Sequence, residues 1–168
     1  WTRSDVDAVY TASEAAILKI LPDFAEPKPY VLDAVEQLRE RGIKIGSTTG
    51  YTDEMMELVT AAAREQGYAP DAMFTPNSVE NKGRPWPYMV FRNLEALGIS
   101  SVSATIKVGD TASDILEGRN AGLISVGVIE GSSIMGLSQA EYEALPDSQK
   151  KVLRDKMRQR YLELGADY

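Results

Sequence analysis

Residues 104–122 read ATIKVGDTASDILEGRNAG, and a second apolar run, Ile124 to Ile129, follows at once. Ala104 to Val108 is short, apolar and rich in β-branched side chains, which predicts a buried strand. Gly109-Asp110-Thr111 has turn chemistry, residues 113–121 fit a short helix, and Gly122 stops it. Strand, helix and strand in so short a span make a βαβ unit, whose strands run parallel with a right-handed crossover.

The alternation continues upstream. Ile43 to Thr49 reads as a strand, Gly50-Tyr51-Thr52 as a turn, and 53–66 as a helix with Met55, Val59, Ala62 and Ala63 on one face, closed by Gly67. A short strand is expected around Met73-Phe74-Thr75, then a helix from Pro85 to Leu97 ending at Gly98. Before these, 5–20 and 29–41 read as helices separated by Pro22 to Pro29, the first carrying Ile17, Leu18 and Ile20, the second Val31, Val35 and Leu38, with Gly42 as its stop. Beyond the βαβ unit, Ser138 and Glu141 have capping-box spacing, and 147–164 is a charged amphipathic helix with Leu153, Met157, Tyr161 and Leu164 on its apolar face. With no internal repeat, low-complexity tract or long linker, the expectation is an α/β chain built on a parallel sheet.

Composition removes several chemistries. Of 168 residues, 43% are apolar and 26% charged, ordinary for a globular protein with a real core. The net charge of −7 repels polyanions, and no basic stripe is available to neutralise a phosphate backbone, so nucleic acid is not an expected partner. No apolar run approaches the roughly 18 residues that span a bilayer, and Trp1-Thr2-Arg3-Ser4 does not read as a signal peptide; no membrane association and a cytoplasmic location are expected. The absence of Cys and His excludes thiolate nucleophiles, zinc knuckles and imidazole bases. Any chemistry must use carboxylates, hydroxyls, Lys, Arg or Tyr, or a hard oxygen-liking cation such as Mg²⁺.

Three polar turns stand at the sheet edge where ligands collect in open α/β folds. Thr49-Gly50 offers a hydroxyl and exposed backbone N–H groups to phosphate oxygens, or is a plain strand-to-helix turn. In Gly109 to Asp114, Asp110 ends a strand and Asp114 begins a helix; two such carboxylates repel unless a cation such as Mg²⁺ lies between them. Alternatively Asp114 favours the helix dipole while Asp110 or Thr111 caps the helix. Lys82-Gly83-Arg84-Pro85-Trp86-Pro87 holds a cation near a helix start, where its charge opposes the dipole; an anion in front of Arg84 explains that placement, and simple solvation is the other explanation.

The order hydroxyl, Arg, Asp-x-x-x-Asp resembles the second, third and fourth motifs of the haloacid dehalogenase superfamily. The runs Ile43 to Thr52, Gly83 to Met89, Lys107 to Ile115, Glu117 to Gly122, Gly131-Ser132-Ser133 and Gly136-Leu137 are similar to the phosphonoacetaldehyde hydrolase family within it, a likeness covering about residues 10–168. The resemblance implies a Rossmann-like three-layer core with a parallel sheet. Carried over residue by residue, it implies that Thr49 and Arg84 act on the phosphoryl group, that Gly50, Tyr51 and Thr111 contact substrate, and that Asp110 ligates Mg²⁺ with support from Asp114. It further implies a small phosphonate substrate, cleavage of its carbon–phosphorus bond, and a homodimer formed through a cap domain.

The family's nucleophilic aspartate and Schiff-base lysine are not recognisable in this sequence. Asp5-Val6-Asp7 has the spacing of the first motif but lacks a buried strand before it, and none of the lysines has a suitable context. Residues 1–24 are therefore expected to be the end of the helical cap and 25–168 the core, missing its first, central strand, and this stretch alone is expected to be inactive. Two alternatives are a general phosphatase or phosphoglucomutase of the superfamily, and a non-catalytic module.

Overall fold

The computed structural model describes residues 1–168, which divide into two compact units. The first comprises Trp1–Ile45 and Tyr51–Asp71 and is helical. Its α1 runs over Arg3–Ile20 behind a capping box between Thr2 and Asp5, and buries none of its own residues. A 3-10 turn at Leu21–Phe24 packs against α3, Asp53–Glu65. Leu21, Ala25, Met55, Met56 and Ala63 supply the buried apolar surface there. The helix α2 is Val31–Glu40. Thr52 caps α3 through its hydroxyl, which accepts from the Met55 N–H.

The second unit, Gly46–Gly50 with Ala72–Tyr168, carries all the strands. These are β1 (Gly46–Thr48), β2 (Ala72–Phe74), β3 (Ile106–Gly109) and β4 (Ile124–Gly127), with α4 (Tyr88–Leu97), α5 (Ala112–Ala121), α6 (Gln139–Glu143) and α7 (Asp147–Leu164). They form two separate two-stranded parallel sheets, β1 with β2 and β3 with β4. Beyond the assigned strands, the outer edge of β4 is taken by the chain end: Gly127 N–H donates to the Tyr168 carbonyl and Asp167 N–H to the Ser125 carbonyl, each at 2.8 Å.

The β1 strand is shorter than the run Ile43–Thr49 predicts, because Ile45 turns its backbone to Asp71: its N–H donates to the Asp71 carboxylate and its carbonyl accepts from the Asp71 N–H, both at 2.7 Å. The expected helix start at Pro85 moves to Tyr88, since Pro87 takes the N-cap position and the Trp86 N–H closes a turn onto Gly83. In contrast, α7 has the predicted bounds, and the capping box of Ser138 with Glu141 forms at the head of α6.

Two apolar clusters hold this unit. Val90 and Leu94 of α4 pack with Ala121 and Leu123, and Ile115 of α5 packs with Tyr161 and Ala166. Close approach of α5 to β3 and β4 depends on Gly118, where a Cβ would collide with the Ser125 hydroxyl and lie 2.8 Å from Lys107 Cβ. Asn93, buried on α4, ties β1 in place by donating Nδ2 to the Ser47 carbonyl at 2.9 Å.

Candidate active site

The turns after β1 and β3 and the loop before α4 converge inside the second unit. Arg84 lies in that loop, which Asn120 of α5 fastens by donating Nδ2 to the Pro85 carbonyl at 2.9 Å. The guanidinium donates Nη1 to Asp114 Oδ1 at 2.5 Å. Its Nη2 stands 3.0 Å from where a Cβ on Gly50 would be, so Gly50 admits the cation to the turn that follows Thr49. Thr49 is half-buried and Tyr51 is 41% exposed.

Asp114 is the hub. Its Oδ2 accepts from the Thr111 hydroxyl at 2.6 Å and the Thr111 N–H at 3.2 Å, while the Thr111 hydroxyl accepts from the Asp114 N–H at 3.1 Å. This capping box shows that the helix-cap reading of Thr111 and Asp114 is real. It is incomplete, because Oδ1 of the same carboxylate takes Arg84 and also Lys107 Nζ at 3.1 Å. Burial works to raise the Asp114 carboxyl, but the Thr111 hydroxyl, Lys107 and Arg84 outweigh it and hold the group below the ordinary aspartate value of 3.8.

Asp110 is oriented differently. Its Oδ2 accepts from Ser133 N–H at 2.9 Å and Ser133 hydroxyl at 2.8 Å, and its carbonyl from the Tyr161 phenol at 2.8 Å. Burial, with the charges of Asp110 and Asp114, pushes the phenol up. No set of three acidic, His or Cys side chains comes together as a metal cage. The donor chemistry still suits Mg²⁺, which is commonly held by one or two carboxylates plus substrate phosphate and water. Asp110 has an oxygen beyond its Ser133 bonds for such a role, whereas both Asp114 oxygens already accept from protein donors.

Sequence reasoning gave Lys107 and Glu117 no site role, and the structure joins both to the cluster around Asp114. Lys107 Nζ donates to Thr48 Oγ1 at 2.6 Å and to Glu117 Oε2 at 2.7 Å, besides Asp114. Glu117 is fully buried, and its Oε2 also accepts from the Thr48 hydroxyl at 2.7 Å. One signal pointed there, since Glu117 is three residues after Asp114 on one helix; strand alternation sets Lys107 on the face opposite Ile106 and Val108 without saying which face is buried. The usual inside–outside order is inverted, with Ile106 57% and Val108 58% exposed while the lysine side chain is only 11% exposed.

The model of the haloacid dehalogenase-like hydrolase family matches residues 2–122, most of the chain and all three turns. The chain belongs to the haloacid dehalogenase-like hydrolases. Among curated relatives, this haloacid dehalogenase-like chain is 48% identical over 168 residues to phosphonoacetaldehyde hydrolase of Lysinibacillus sphaericus, covering 100% of the chain and 62% of the relative. It is 47% identical over 168 residues to the protein of that name from Parabacteroides distasonis, again over the whole chain and 63% of the relative. The chain thus spans about three-fifths of the length of these relatives. A solved phosphonoacetaldehyde hydrolase-like protein from Oleispira antarctica superposes with a TM-score of 0.94 at 31% identity, over 100% of this chain and 60% of that one. A haloacid dehalogenase hydrolase of Entamoeba histolytica shares the fold, with a TM-score of 0.64 at 16% identity over 92% of this chain and 73% of that one. No helix of this family member is long and apolar enough to cross a membrane.

Proposed function

We propose that the full-length protein hydrolyses the carbon–phosphorus bond of phosphonoacetaldehyde, taking up one water and releasing acetaldehyde and phosphate, and that residues 1–168 alone do not. The observation that carries the reading is the single cluster formed by Arg84, Asp114 and the Thr49-Gly50 turn, in a chain 48% identical over its whole length to a phosphonoacetaldehyde hydrolase.

In this reading the Thr49 hydroxyl and the N–H groups around Gly50 bind phosphoryl oxygens, and Arg84 supplies fixed positive charge where negative charge accumulates during transfer. Tyr51 contacts the substrate beyond the phosphoryl group. Thr111 acts through Asp114, since its hydroxyl hydrogen is given to that carboxylate. Asp110 would hold Mg²⁺, with Asp114 supporting it at one remove; when bound, the ion would neutralise charge on the transferred phosphoryl group. Ser133 and Tyr161 fix the direction of Asp110 for that purpose. No residue of this chain is assigned the nucleophile or the Schiff-base amine. Residues 1–24 are read as the end of a cap and 25–168 as core, and α1, with Val6, Val9 and Tyr10 exposed, supports a homodimer formed through the cap.

The test is turnover of phosphonoacetaldehyde by the complete protein with Mg²⁺, following acetaldehyde by coupled reduction, together with borohydride trapping. Acetaldehyde release and a substrate-dependent covalent adduct are expected. Hydrolysis of phosphate esters without either result would replace this reading with that of a general phosphatase.

A further inference from the structure

The two oxygens of the Asp110 carboxylate have different surroundings, and the loop after β4 makes the difference. The Val128 N–H donates to the Gly109 carbonyl at 2.8 Å, so that loop runs beside the turn after β3. Within it Ser133 gives both of its donors to one atom, sending its N–H to Asp110 Oδ2 at 2.9 Å and its hydroxyl to the same oxygen at 2.8 Å. The Asp110 carbonyl takes the Tyr161 phenol. These contacts all lie on the β4 and α7 side of β3, whose other edge, where a further strand would pair, takes no part in them.

The loop is held from both ends of its turn. Ser132 is 2% exposed, its N–H turns back to the Ile129 carbonyl, and its hydroxyl accepts from the Met135 N–H at 3.3 Å. Before it, Glu130 accepts from the Tyr142 phenol at 2.9 Å and from Arg154 Nη1 at 3.0 Å, which ties the loop to α6 and α7. The Ser133 donors are therefore placed by the fold.

A carboxylate offers about four lone-pair sites on its two oxygens. Two donors on Oδ2 occupy both sites of that oxygen, and Oδ1 is left for a cation. Asp110 can then meet a metal through one oxygen only. Mg²⁺ loses nothing by this, because its small, near-octahedral shell has no room for the acute bite of two oxygens from one carboxylate. Ca²⁺ does lose, since its larger and irregular shell takes carboxylates through one oxygen or through both.

We propose that Ser133 is a specificity-determining residue for the metal, which saturates Asp110 Oδ2, forbids two-oxygen coordination and so biases the site toward Mg²⁺ and against Ca²⁺. The inference rests on the reading of Asp110 as a metal ligand. It assigns Ser133 no contact with ion or substrate.

Calorimetry on the complete protein would measure Mg²⁺ and Ca²⁺ separately, with Tm followed alongside. Asp110→Ala should abolish this site for both ions, and an unchanged affinity for either would overturn the proposal. Ser133→Ala removes the hydroxyl donor, keeps the N–H, and frees one lone pair on Oδ2. The ratio of Ca²⁺ to Mg²⁺ affinity should then rise on the order of tenfold, because Mg²⁺ loses an outer-shell support while Ca²⁺ gains a second oxygen. Ser133→Thr, which keeps the hydroxyl, should restore the original ratio. Tyr161→Phe is the control, since it loosens Asp110 without freeing Oδ2, and both ions should weaken together. A ratio that stays put in folded Ser133→Ala, or that Tyr161→Phe shifts equally, would sink the selectivity role. Should Ser133→Ala not fold, Ser133→Cys, whose thiol is a weak donor, carries the same expectation, and failure of both to fold would make Ser133 a structural pin and end the proposal. A protein that shows the ratio shift but leaves phosphonoacetaldehyde intact would end the substrate assignment while leaving the role of Ser133 standing.

Discussion

Arg84 illustrates how a residue can be legible in type and illegible in context. The sequence shows a guanidinium held by Gly83 and Pro85 where a cation is electrostatically out of place, which points to an anion. The anion within this chain is Asp114, at 2.5 Å, and the close approach to Gly50 becomes visible only when the chain is folded. Replacing Arg84 by Met should therefore have two separable effects. Loss of one charge-assisted hydrogen bond should cost about 1–2 kcal/mol in urea unfolding, softened because Lys107 still faces the same carboxylate. Loss of fixed positive charge at the phosphoryl group should lower kcat/KM on the order of a hundredfold, measured on phosphonoacetaldehyde. Lys107 was the harder case. A lysine between Ile106 and Val108 reads as the solvent face of a strand, and it is buried instead because three oxygen acceptors replace its hydration.

Elements set the positions of these residues through close contacts. The helix α5 presents Asp114 and Glu117 from one face, and Gly118 lets that face come near β3 and β4. Gly118→Ala should destabilise the protein by about 1–3 kcal/mol through overpacking, seen as a lower denaturation midpoint with an unchanged slope. The helix α7 reaches the site from the far end of the chain, where Tyr161 is 2% exposed and its ring stands 2.7 Å from a Cβ position on Gly127. Its phenol lies 2.8 Å from the Asp110 carbonyl and 2.9 Å from that of Val128. Tyr161→Phe keeps the ring and leaves those carbonyls without the phenol, so a loss of about 1 kcal/mol is expected. Mg²⁺ affinity should weaken as Asp110 loosens, a change that a purely structural tyrosine would not produce.

At the scale of the whole molecule the distribution of titrating groups shapes the response to pH. With no His and no Cys, the side chains that ordinarily titrate near neutrality are absent. Stability should be nearly flat across pH 6–8. Asp114 has a carboxyl pKa lowered in the folded chain, so the stability it contributes is complete above the ordinary value of 3.8 and is lost as the pH falls below it toward the folded value. The gap in unfolding free energy between the unaltered protein and Asp114→Asn should accordingly be largest near neutrality and narrow below about pH 4. A gap that stayed constant to pH 3 would show that the cations contribute nothing through that charge. The other depressed carboxyls lie at the surface: Glu80, Glu130 and Asp155 face cations in exposed ion pairs, which contribute little, and Asp5 and Glu141 accept the capping-box hydrogen bonds of Thr2 and Ser138. The sequence by itself determined the alternating α/β order, the glycine stops at Gly98 and Gly122, the cap at Ser138 and the three polar turns, because those features arise from local backbone preference and periodicity. Only the tertiary structure decided that Arg84 meets Asp114 and that Lys107 and Glu117 are buried together. Those outcomes depend on contacts between residues 10 to 69 positions apart, which electrostatic pairing and packing around Gly118 select.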